Sequence, residues 1–316
     1  MRTTNPKSTF RGAIAACALI GMLSVPVRAD DPPKAPENFT ESFDKGGFLF
    51  DDGNGVIHIR QSGSTAETDY APGIKSSGNF YARLMVQPGA NVNSDGNPSC
   101  APGVQSCFGP FTEWGLPWGS FDGNFGTGVP IHEDGAVTQV DIYLDTNFAA
   151  THHDYRFDWD SDLLDSKNQF LQDYIFNAGT SNPAQPVACG PANQAYFVIA
   201  ASTNSQRGSA FPQDPNKMPQ CITVSGWYTF RHTFHADHSG KLEVDMDILN
   251  SKDKVVASWV IHPTCMGTQV SEGLCTVGQP LPFAAVGANF LGWFTDQEIN
   301  NLAIDNLQRR NGGGHD

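Results

Sequence analysis

Apolar and polar residues alternate along most of this chain with a period of two, the pattern of strands that bury one face and wet the other. From Val137 to Asp145, Val140, Ile142 and Leu144 fall on one face, while Gln139, Asp141, Tyr143 and Asp145 fall on the other. The run Trp227 to His235 sorts in the same way: Tyr228, Phe230, His232 and Phe234 share one face, and Arg231, Thr233 and His235 share the opposite one. In Lys241 to Leu249, Leu242, Val244, Met246 and Ile248 alternate with Glu243, Asp245 and Asp247. Similar runs lie at 56–60, 80–86, 155–159, 174–176, 195–201, 255–261 and 302–307, bringing the predicted strands to about ten. Ser239-Gly240 between two of them predicts a hairpin turn. No long stretch carries the 3.6-residue helical period. Half-buried strands of this kind form antiparallel sheets, and two such sheets bury their apolar faces against each other. An all-β, two-sheet antiparallel sandwich is therefore expected.

The N-terminus breaks the pattern. Arg2, Lys7 and Arg11 precede an apolar run from Ala13 to Val27, and Val27-Arg28-Ala29 places small residues at the −3 and −1 positions of a cleavage site. This is the three-part grammar of a secretory signal over residues 1–29, and the run of about 15 residues is shorter than a bilayer span. A secreted protein with no membrane anchor is expected, with a flexible leader at 30–38, a single domain over 39–310 and a disordered tail at 311–316. Removal of 1–29 takes four of the 19 basic residues and none of the 33 acidic ones, leaving 15 against 33 and a net charge of −18. Such a field repels nucleic acid and anionic membranes and suits neutral or cationic ligands and divalent cations.

Export also permits disulfides. Beyond Cys17, six cysteines remain: Cys100, Cys107, Cys189, Cys221, Cys265 and Cys275. Six cysteines allow 15 connectivities, of which nearest-neighbour pairing is the simplest. Bridges would then pin the long loops of the sandwich.

The opening segment Phe39-Thr40-Glu41-Ser42-Phe43-Asp44, the closing Leu302-Ala303-Ile304-Asp305-Asn306-Leu307 and the internal Gly226-Trp227-Tyr228-Thr229-Phe230 resemble strands of the concanavalin A-like lectin and glucanase jelly rolls. The resemblance spans most of residues 39–308. It implies a jelly-roll sandwich whose terminal strands lie side by side and whose concave sheet carries a ligand groove. The glucanases of that superfamily place Glu, Asp and Glu on one strand; here Gln139 stands where the nucleophile would be, and Asp145 lies too far along. Jelly-roll alginate lyases pair a Gln-Ile-His strand with a Tyr-Phe-Lys-Ala-Gly segment. Gln139-Val140-Asp141 and Phe176-Asn177-Ala178-Gly179 lack the histidine and the lysine.

Several constellations could carry chemistry. On the polar face of 137–145, Asp141 and Asp145 are the expected catalytic acids, with Gln139 and Tyr143 orienting a sugar; glycosidases need two carboxyls a few ångströms apart. The same residues equally suit a solvated strand face. His152 and His235 are further catalytic candidates, because histidine exchanges protons near neutral pH. Arg231 shares a face with His235 and could hold substrate. Trp114 and Trp118 lie in an aromatic, glycine-rich stretch from Phe108 to Phe125, and aromatic rings stack on the apolar faces of sugars. Asp158, Asp160 and Asp162 have the oxygen spacing of a calcium loop without its glycine, so Ca2+ is the one cofactor considered and no organic cofactor is expected. Nucleophile elbows, zincin motifs, phosphate loops and dinucleotide fingerprints are absent from the sequence.

The expectation is a monomeric, secreted, carbohydrate-active protein working on extracellular polysaccharide or oligosaccharide. Glycoside hydrolysis leads, with a non-catalytic glycan-binding module or a polysaccharide lyase as alternatives.

Overall fold

A computed structural model describes residues 39–44, 56–62, 70–74, 78–86, 111–114, 129–165, 170–203, 212–263, 285–292 and 299–312. Residues 1–38, where a signal and a leader are expected, and Trp118, Cys100, Cys107, Cys265 and Cys275 lie outside these residues. The described part falls within one unit, Pro33–Asp316. Its strands, in chain order, are β1 (Phe39–Glu41), β2 (Val56–Ser62), β3 (Phe80–Val86), β4 (Phe111–Trp114), β5 (Val129–Pro130), β6 (Ala136–Leu144), β7 (Arg156–Leu164), β8 (Phe170–Thr180), β9 (Phe197–Thr203), β10 (Gln220–Ile222), β11 (Gly226–Ala236), β12 (Leu242–Asn250), β13 (Val255–Ile261), β14 (Ala285–Gly292) and β15 (Leu302–Asn311). A four-residue helix, α1 (Thr146–Ala149), follows β6. No helix among the described residues is long and apolar enough to cross a membrane.

The strands form two antiparallel sheets. Eight make one sheet in the order β13-β12-β11-β6-β15-β3-β2, with β1 on β15; seven make the other in the order β10-β9-β8-β7-β14-β4, with β5 on β14. The first and last strands are neighbours, Phe39 opposite Arg309, as the jelly-roll resemblance implies. The chain is thus a two-sheet antiparallel sandwich.

The sheets are held together by aromatic contacts between β11 of the eight-stranded sheet and β7 and β8 of the other. Phe230 meets Phe157 at 6.0 Å and Phe176 at 5.4 Å between ring centroids, and Tyr174 meets Phe234 edge-on at 5.6 Å. Each of these side chains is fully buried. Burying one large apolar side chain stabilises by roughly 1.5–3 kcal/mol, so this aromatic layer is a major part of the core.

The structure redraws one acidic segment. Asp158-Trp159-Asp160-Ser161-Asp162 was expected as a calcium loop, but it lies inside β7. Phe157 and Trp159 point into the core, so the three aspartates project from the outer face of the seven-stranded sheet. There they are 1%, 4% and 1% exposed, which makes them buried strand residues and not a solvated loop. Asn177 Nδ2 donates to Asp158 Oδ1 at 3.0 Å, and Ser202 Oγ donates to Asn177 Oδ1 at 2.6 Å, linking β9, β8 and β7 side by side. Strands β4, β5, β10 and β14 escaped the periodicity reading because they are short or, in β14, rich in glycine and alanine without alternation. β15 runs through Asn311, the first residue assigned to the tail.

The inward parity of His232 has a measurable consequence. Its ring is fully buried, 4.8 Å from Phe176, with Nδ1 3.4 Å from Thr138 Oγ1. Desolvation pushes its pKa from the ordinary 6.5 down to about 3. The folded protein therefore holds a neutral imidazole where the unfolded chain binds a proton. Stability from this residue is complete above about pH 6.5 and falls as pH drops toward 3, by up to about 1.4 kcal/mol per pH unit. Denaturant unfolding of wild type and His232→Leu between pH 4 and 7 should show a steeper pH dependence for wild type; equal slopes would refute a neutral buried His232.

Candidate functional site

The outward face of the eight-stranded sheet gathers most of the polar chemistry. Register on β6 and β11 sets Trp227 opposite Tyr143, Thr229 opposite Asp141 and Arg231 opposite Gln139. On the other flank, Asp305 of β15 stands opposite Asp141. Directly opposed residues project to the same side, so these side chains form adjoining rows. Tyr143 and Trp227 meet edge-to-face at 5.4 Å, and Trp227 meets Tyr81 of β3 in the same manner at 5.9 Å.

Asp141 sits beside this aromatic group, half-buried. Thr229 Oγ1 donates to its Oδ1 at 2.5 Å, and Asn306 Nδ2 donates to its Oδ2 at 2.8 Å. The second contact depends on an irregularity. The β15 register shifts between Asp305 and Gln308, and Asn306 there takes a left-handed backbone with φ +44°. A bulge of this kind re-aims a side chain, and asparagine tolerates the conformation better than most residues. Burial raises the Asp141 carboxyl above the ordinary range, while the Thr229 and Asn306 hydrogen bonds act in the opposite sense. Gln139 and Arg231 flank the group, the latter ion-paired with Asp247 at 3.0 Å.

The expected partner of Asp141 is elsewhere. β6 ends at Leu144, and Asp145 is the N-cap of α1, only 4% exposed. Its Oδ1 accepts from Asn147 N and its Oδ2 from Ala71 N, both at 3.0 Å. Two orphan backbone donors are satisfied in this way, the usual work of a capping aspartate. Asp145 is therefore committed to backbone amides, whereas Asp141 is held by the side chains of Thr229 and Asn306.

The remaining sequence candidates are dispersed. His152 lies beyond α1, its ring stacked on Phe148 at 3.9 Å and its Nδ1 3.2 Å from Phe148 O. His235 lies near the far end of β11, with Nε2 3.1 Å from Asp245 Oδ2 and 4.0 Å from Glu243 Oε1; the Asp245 hydrogen bond raises its pKa above 6.5. Trp114 is placed in β4 by its backbone. Cys189 and Cys221 form a disulfide that ties the loop before β9 to β10. Among the described residues, the set whose ligand atoms all come within 4.8 Å of one another is His235, Glu243 and Asp245. Asp158, Asp160 and Asp162 do not form one, since successive positions on one strand face are about 6.5–7 Å apart.

Trp227 and Thr229 could have been found from sequence, because they share the outward parity of Arg231 and His235. Asn306 could not, because the bulge breaks the period that assigns faces.

No family model matches this sequence, and no curated relative does. Solved structures with a similar fold include a PL-14 alginate lyase from Aplysia kurodai (9% identity, covering 75% of this chain and 84% of that one, TM-score 0.37). They also include an endo-β-1,4-glucuronan lyase from the fungus Trichoderma reesei (8%, 86% and 94%, 0.38) and lectin II from Ulex europaeus (9%, 88% and 99%, 0.31).

The Asp145 cap is directly testable. Asp145→Ala leaves the Ala71 and Asn147 amides without these acceptors and should lower stability by about 1–3 kcal/mol in denaturant unfolding. A loss of catalysis or binding with unchanged stability would instead place Asp145 in a working site.

Proposed function

We propose that this is a secreted glycan-binding protein that takes a neutral oligosaccharide on the outer face of the eight-stranded sheet. The observation that carries the reading is Asp141, held by Thr229 and Asn306 beside the Tyr143–Trp227 ring pair. A sugar ring offers two kinds of surface, apolar C–H faces and a rim of hydroxyls. Aromatic rings serve the first, and a carboxylate with unused lone pairs serves the second. Gln139 adds an amide that both donates and accepts. The strongly acidic mature chain favours neutral glycans over polyanionic ones. Export is supported by the N-terminal signal pattern and by the Cys189–Cys221 bridge, a bond of oxidising compartments.

A second reading, hydrolysis, is favoured by one feature. Asp141 has a raised carboxyl pKa, suited to a general acid, and Asp305 stands opposite it on the neighbouring strand. Asp305 is itself buried, its Oδ1 accepting from Asn306 N at 2.8 Å, which makes this the second reading.

The two readings separate in one experiment. The mature protein is passed over a panel of immobilised neutral polysaccharides and incubated with the same glycans, with reducing ends and unsaturated products assayed. Retention without new ends is expected, weakened roughly 2- to 10-fold in Trp227→Ala, the range of one aromatic contact. New reducing ends that vanish in Asp141→Asn would establish hydrolysis instead. Unsaturated products would establish a lyase, and absence of retention on every glycan would overturn the proposal.

A further inference from the structure

We infer that His235, Glu243 and Asp245, with His262, form a zinc-binding site separate from the glycan face. Three strands bring the group together. His235 of β11 lies opposite Glu243 of β12, Asp245 follows two residues on with the same outward parity, and His262 comes directly after β13. The metal-binding atoms of His235, Glu243 and Asp245 all lie within 4.8 Å of one another. His262 Nδ1 is 2.6 Å from Glu243 Oε2.

The tautomer of His235 supplies the decisive point. Its Nδ1 is 3.2 Å from the carbonyl oxygen of Ala236. A carbonyl only accepts, so Nδ1 carries a proton and donates it there. The other nitrogen, Nε2, then faces Asp245 Oδ2 at 3.1 Å and Glu243 Oε1 at 4.0 Å. A neutral imidazole would turn a lone pair toward two carboxylates, so a cation belongs between them. A second proton is one such cation and a metal ion is the other. A histidine that donates one N–H to a backbone carbonyl and presents the other nitrogen to carboxylates has the arrangement that orients metal ligands.

The donor set selects the metal. Imidazole nitrogen with carboxylate oxygen in a three-residue group, with His262 beside Glu243, suits Zn2+, whereas Ca2+ and Mg2+ prefer oxygen alone. Tetrahedral zinc with bonds of about 2.0–2.2 Å sets its ligand atoms roughly 3.4 Å apart, so the 4.0 Å pair would close and the 3.1 Å and 2.6 Å pairs would open. Glu243 and Asp245 are half-buried and His262 is exposed, so side-chain rotation suffices and the strands need not move. Bound zinc would cross-link β11, β12 and the segment after β13. The site is eight residues from Trp227 along β11, about 26 Å at the strand rise, so it is independent of the glycan reading.

The test uses the untagged mature protein, treated with chelator, dialysed and titrated with ZnCl2 by calorimetry. One zinc per chain is expected, with a rise in melting temperature on binding. Co2+ in place of Zn2+ should give the visible absorption bands of a four-coordinate nitrogen and oxygen site. His235→Ala and Asp245→Asn should abolish the stoichiometric binding, and His262→Ala should weaken it by about tenfold. Circular dichroism confirms that each variant is folded; if His235→Ala is not, His235→Gln replaces it. Folded wild type that takes up no zinc would overturn the inference. So would stoichiometric binding that survives in the folded His235 and Asp245 variants.

Discussion

The packing of Phe230 against Phe157 and Phe176 is the contact on which the rest of the structure depends. It fixes which parity of β11 faces inward, and in a strand parity is all-or-none. A slip of one residue would carry every inward-facing side chain of β11 to the outside and bury Trp227, Thr229, Arg231 and His235 in their place. Register then transmits the choice sideways: Phe230 opposite Val140 and Ile248 keeps β6 and β12 in step, so Asp141 and Asp245 face outward as well. The aromatic layer therefore positions both outer-face clusters without touching either.

The same rule explains what the sequence revealed. Strong alternation in β6, β11 and β12 gave their extents to within a residue or two, together with the outward direction of Gln139, Asp141, Tyr143 and Arg231. The pairing of the terminal strands followed from resemblance, since periodicity alone does not say which strands are neighbours. Three features were hidden for separate reasons. Asp145 continues the parity of Asp141 on paper, but a strand can end without any change in alternation, and only the following Thr-Asn turn marks the cap. Asn306 sits in a bulge, where the period skips. The outer face of β7 is acidic and yet buried, so composition suggested a loop where alternation with Phe157 and Trp159 was the better guide.

Helix capping and strand continuation make competing demands on the residue after β6. Without the Asp145 carboxylate the buried amide of Ala71 would lose this acceptor, and an unsatisfied buried donor costs about 1–3 kcal/mol. Both Asp145 oxygens are thus committed to backbone amides and not to a partnership with Asp141. Asp141 is left with two side chains holding it in place and with Asp305, a buried carboxyl, as its neighbour across the sheet and not along the strand.

Net charge alone would treat the acidic residues as equivalent, yet each is distinguished by what donates to it. Backbone amides make Asp145 a cap. The amide of Asn177 ties Asp158 into a cross-strand row. A threonine hydroxyl and the side chain of a bulged asparagine hold Asp141 at the edge of an aromatic group. An imidazole whose other nitrogen meets the Ala236 carbonyl holds Asp245 at 3.1 Å. The donor thus decides whether an acid builds the fold or meets a ligand, and donors that come from side chains on neighbouring strands can arise only once the register is set.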